Sequence, residues 1–62
     1  MSGVSEAFTR RVQLTTDTSV LYTEFRTILR ILSESSNLDD MLDLLIRAEL
    51  IIKRLKELES KE

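Results

Sequence analysis

Arg10-Arg11-Val12-Gln13-Leu14-Thr15-Thr16 is the stretch that decides how this chain folds. Val12, Leu14 and Thr16 alternate with Arg11, Gln13 and Thr15, the period-2 pattern of a half-buried strand, with Val12 and Leu14 facing inward and the three polar residues outward. A helix competes for the same residues, because Val4, Phe8 and Val12 are spaced by four. The run Thr15-Thr16-Asp17-Thr18 is poor helix interior and favours the extended form, so the expectation is a strand over 10–16. Upstream, residues 1–9 (MSGVSEAFT) hold the only Gly, several small polar residues and the isolated apolar Val4 and Phe8. They are expected to form a flexible arm.

Downstream, Thr15 to Ser19 is a cluster of helix-capping residues, with Asp17 or Thr18 placed to start a helix. Leu21, Phe25, Ile28 and Leu32 then step by four, three and four, with Tyr22 and Leu29 widening the stripe, which predicts an amphipathic helix over 17–33. Ser33 to Asn37 (SESSN) compete with helical hydrogen bonding through their side chains and read as a tight connection. Ser36 or Asn37 caps a second helix over 37–59, and Asp39, Asp40 and Asp43 stand in its first turns, where the helix dipole favours negative charge. From Leu44 to Ile52 only Arg47 and Glu49 are polar. A helix that is apolar nearly all round must be covered on more than one side.

The chain has 62 residues, a net charge of −2, no Cys and no His. Below about 70–80 residues a single core rarely suffices without disulfides, a metal or oligomerisation. The missing Cys and His exclude disulfides and the usual zinc and iron ligand sets, so an obligate homodimer or higher oligomer is expected, with no cofactor and no metal. The commonest nucleophiles and general bases are absent too, and no enzyme is expected. Asp39, Asp40 and Asp43 sit on consecutive helical turns rather than in an irregular loop of the kind that holds Mg²⁺ or Ca²⁺. No stretch approaches the roughly 18 uninterrupted apolar residues of a membrane span, and a soluble, cytoplasmic protein is expected. Lys53, Arg54 and Lys56 are followed by acids and read as a solvated face.

Strand, helix, tight turn and helix in about fifty residues resemble the ribbon-helix-helix DNA-binding family, the β-ribbon readers of the Arc and MetJ type. The resemblance spans Arg10 to about Ile52. It implies a mainly α dimer whose two N-terminal strands pair into a ribbon entering the major groove, with Arg11, Gln13 and Thr15 on base edges, assisted by Arg10. Arg can bind guanine and Gln adenine in two-pronged fashion, and Thr can touch a thymine methyl. It further implies that the N–H groups near Asn37 meet a backbone phosphate.

The alternative is an all-α helical hairpin that works by association alone. Leu38 to Leu58 (LDDMLDLLIRAELIIKRLKEL), following the Tyr22, Phe25, Ile28, Leu29, Leu32 pattern, also looks like the small subunit of bacterial exonuclease VII, which implies a non-catalytic helical hairpin that coats a nuclease subunit; for a hairpin of unspecified partner, another helical protein is expected. In either case the oligomer interface is expected at Val12, Leu14, Phe25, Ile28, Leu42, Leu45, Ile46, Ile51 and Ile52. The first expectation is a small dimeric transcriptional regulator binding double-stranded DNA; the second is an oligomerisation or protein-interaction subunit of a larger assembly. Both treat the chain as a single domain.

Overall fold

The computed structural model describes residues 6–60 as three helices joined by three-residue links: α1, Glu6–Leu14; α2, Thr18–Glu34; and α3, Leu38–Glu59. Among the described residues there is no strand. The strand expected over 10–16, and with it the ribbon-helix-helix architecture, is therefore corrected to an all-α fold. Residues 6–9, expected in the arm, form the start of α1, and residues 1–5 lie outside the described residues.

Two side chains explain the correction. A strand would bury Val12 and Leu14 on the same face, but Val12 is 2% exposed and Leu14 73%. Residues two apart on a helix point about 200° apart, whereas Phe8 and Val12, one turn apart, are buried together. The threonines that argued for a strand in fact close the helix. The Thr15 N–H donates to the carbonyls of Arg11 at 3.0 Å and Val12 at 3.2 Å, and the Thr15 hydroxyl donates to the Arg11 carbonyl at 2.7 Å. Otherwise orphaned carbonyls of the last turn are thereby satisfied, and the chain leaves the helix where its propensity falls.

The two longer helices begin at polar caps. Asp17, in extended conformation, accepts a hydrogen bond from the Ser19 N–H at 3.0 Å and from the Ser19 hydroxyl at 2.7 Å. Asn37 accepts from the Asp40 N–H at 3.1 Å, with Asp39 and Asp40 following in the first turn of α3. Each cap removes one unpaired donor and sets the direction in which the chain enters the helix. None of the described residues has a positive φ, so neither link needs a glycine.

The three-residue link makes α2 and α3 antiparallel neighbours, and the Tyr22 hydroxyl at the start of α2 donates to the Glu59 carboxylate at the end of α3, at 2.8 Å. Leu21 and Ile51 are fully buried at their contact, joined by Ile28, Ala48 and Leu55 and flanked by the partly buried Phe25, Leu44 and Leu58. Helix α1 adds Phe8 and Val12 to this core. The Arg47 and Arg11 guanidinium carbons lie 4.9 and 5.4 Å from the centroid of the Phe8 ring, within cation–π range.

Polar ties hold α1 in register. Arg11 pairs with Glu24 of α2, and Arg54 of α3 donates its Nε–H to the Thr15 carbonyl at 3.0 Å. With Phe8 beside Arg47 and Thr15 beside Arg54, α1 runs parallel to α3 and antiparallel to α2. The order is up, down, up.

Candidate functional site

Leu44 to Ile52 needs cover on several sides, and the described residues supply it on two. Ala48, Ile51 and Leu55 join the buried core with Leu21 and Ile28 of α2. On another side, Leu50 and Arg54 line a cleft with Thr9, Val12 and Gln13 of α1. Among the described residues the third side is open. There Leu42, Leu45, Ile46 and Ile52 of α3 meet Phe25 and Leu29 of α2 in a shallow apolar groove to which α1 contributes no residue.

The groove is apolar without being buried. Leu29, Leu42, Leu45, Ile46 and Ile52 are each 40–49% exposed. Scattered half-exposed leucines are ordinary on a protein surface, but a contiguous patch of them on one face is a mark of an interaction site. Glu49 is the charged residue in the groove lining, and it forms no ion pair among the described residues. On α3 the exposed side continues as Leu38, Leu42, Leu45, Glu49, Ile52 and Lys56, spaced alternately four and three, the seam of a helix that packs against another helix.

The residues expected to read DNA are not assembled into a reading edge. Arg10, Arg11 and Gln13 are exposed on α1, but Arg11 and Gln13 point about 200° apart on a helix. Arg11 is held by Glu24, the Thr15 hydroxyl by the Arg11 carbonyl, and the Asn37 side chain by its own helix. Of the residues expected at an oligomer interface, Val12, Ile28 and Ile51 lie in the chain's own core. Leu42, Leu45, Ile46 and Ile52 come together in the groove with Phe25, and the exposed Leu14 stands apart at the end of α1. Leu29 also lines the groove, and its place on the α2 stripe gives no sequence signal that it lies at the stripe's uncovered edge.

Other groupings carry less. The Asp43–Arg47 ion pair at 3.4 Å is a one-turn contact within α3, and its Oδ1 and Nε atoms are buried without hydrogen-bond partners. Arg26 and Arg30 line an open depression with Thr23 and Thr27 on the exposed side of α2, with no buried wall. Among the described residues no group of three His, Cys, Asp or Glu side chains is placed to hold a metal ion. No described helix is long and apolar enough to cross a membrane.

Among the described residues, fold and groove define three packed helices with an uncovered apolar face. The chain matches no protein-family model, no curated protein and no solved structure.

Proposed function

We propose that this chain is a non-catalytic helical interaction module whose working surface is the groove between α2 and α3. The observation that carries the proposal is the third side of Leu44 to Ile52. Five aliphatic side chains there remain about half exposed on one continuous face, although α1 and α2 cover the other two sides. Completing the burial of each contributes roughly 1 kcal/mol, about half the value for a whole aliphatic side chain. Five of them supply about 5 kcal/mol per chain, the scale on which association costs are offset.

A DNA-binding regulator is the second reading. The net charge of −2 gives no broad attraction for phosphate, and the outward row of Arg11, Gln13 and Thr15 on which base readout rested has no strand to display it. The groove favours the interaction module.

A photo-crosslinking residue placed at Leu45 tests the proposal against the same residue placed at Arg30, on the exposed side of α2. The expected outcome is a protein adduct, with its own copy or another chain, from position 45 and little from position 30. Equal labelling at both positions, or none at 45, overturns it. Tight duplex-DNA binding at physiological salt that is lost in an Arg10→Ala, Gln13→Ala variant would support the regulator instead.

A further inference from the structure

We propose that the occupant of the groove is a second copy of this chain, packed so that the two α3 helices run antiparallel about a two-fold axis level with Arg47. This rests on the interaction-module reading and adds the partner and its orientation.

Two observations lead there. The first is length. The apolar part of the α3 face runs from Leu42 to Ile52, about 15 Å at 1.5 Å per residue. An antiparallel copy overlaps that segment completely only if Leu42 of one chain faces Ile52 of the other and Leu45 faces Glu49. The midpoint of both pairs is residue 47.

The second is charge. Residues 38–43 of α3 hold three acids, Asp39, Asp40 and Asp43, and no base, whereas residues 53–56 hold three bases, Lys53, Arg54 and Lys56, and no acid. Asp43 pairs with Arg47, and Arg54 is tied to Thr15 and Glu57, which leaves Asp39, Asp40, Lys53 and Lys56 exposed and without ion pairs among the described residues. With the axis at residue 47, Lys56 of one chain stands opposite Leu38 of the other, within one turn of Asp39 and Asp40. A parallel pair does the reverse. It places Glu49 against Glu49 in the middle of the apolar face and Lys53 and Lys56 against their own copies, and like charges so placed select against that register.

The product is an antiparallel four-helix bundle of two α2–α3 hairpins, with each α1 on the outer side of its own hairpin.

The chain has no cysteine, so single substitutions report contacts without background. Leu42→Cys and Ile52→Cys chains are mixed and oxidised, with helix content checked by circular dichroism; both positions are half exposed, and the fold should tolerate the change. The expected products are mixed 42–52 disulfides in preference to 42–42 and 52–52, and the unmodified chain should sediment at twice 7.2 kDa. Predominance of 42–42 and 52–52 overturns the antiparallel arrangement. A wild-type chain that stays at single mass at micromolar concentration with its helices intact overturns the second copy as occupant. The adduct at position 45 is scored separately. If it contains a different protein, this inference fails and the interaction module stands; if none forms, both fail.

Discussion

Replacing Phe8 with Ala should release α1 while leaving the α2–α3 hairpin folded. Phe8 is 8% exposed, packed in the core and flanked by the Arg11 and Arg47 guanidinium groups. Truncating a well-buried Phe typically costs about 3–5 kcal/mol. Helix α1 has nine residues, fewer than the roughly 12–15 at which isolated helices become even marginal, and its other buried residue is Val12. Its helicity therefore depends on docking. Once docking is weakened by about 3 kcal/mol the helix melts, and the loss stops growing because α2 and α3 retain Leu21, Ile28, Ala48, Ile51 and Leu55 in mutual contact. Amide hydrogen exchange followed by NMR separates the parts. Protection at Val12, Gln13 and Leu14 should fall towards that of an open chain, with that of Ile51 and Ala48 reduced far less. Undiminished protection over 10–14 in the Phe8→Ala chain would refute the argument, as would extended-type chemical shifts there in the wild type.

Further outcomes follow from the polar ties. Arg54→Met keeps the aliphatic stem but removes the donor to the Thr15 carbonyl, a largely enclosed charged hydrogen bond; it should cost about 1.5–3 kcal/mol in urea unfolding, and a neutral result would remove Arg54 as the clasp on the α1–α2 link. Two groups predict a pH profile. The hydrogen bond to the Glu59 carboxylate, then its negative charge, hold the Tyr22 phenol above its usual 10.0, so its stabilising effect is full below that value and is lost as pH rises through the higher folded one. Tyr22→Phe should remove this alkaline loss. At the other end, the Ser19 hydroxyl and then its N–H, with a smaller part from the Val20 N–H and against slight desolvation, hold Asp17 below 3.8. Its cap is therefore fully effective above that pH and is lost as pH falls through the lower folded value. An acid limb unchanged in Asp17→Asn would contradict that assignment.

The two long helices were legible because their apolar residues repeat with one period only. Leu21, Phe25, Ile28 and Leu32 fit no strand, and Asp17 and Asn37 are capping residue types beside the start of each stripe. Residues 10–16 were not legible in the same way. Seven residues satisfied two periods at once, and the deciding contact, Phe8 beside Val12, lay partly in a segment read as an arm. The threonine run lowers helix propensity only at the end of the stretch, where Thr15 closes the last turn. For the groove, sequence gave the need for cover around Leu44 to Ile52 but not which sides the chain would cover itself. Val12 and Ile51 carry the same signature as Leu45 and Ile46, and only the placement of α1 and α2 separates core from surface.

In the link from Ser35 to Asn37 both end residues are in ordinary extended conformation, and no residue is left-handed. No special residue there is irreplaceable apart from the Asn37 side chain, and doubling the length of such a loop costs only about 0.6 kcal/mol of closure entropy. A peptide tag or a fluorescent reporter inserted between Ser35 and Ser36 would thus leave the cap at Asn37 in place. The turn is a natural port through which this small protein can be tethered, labelled or fused in tandem.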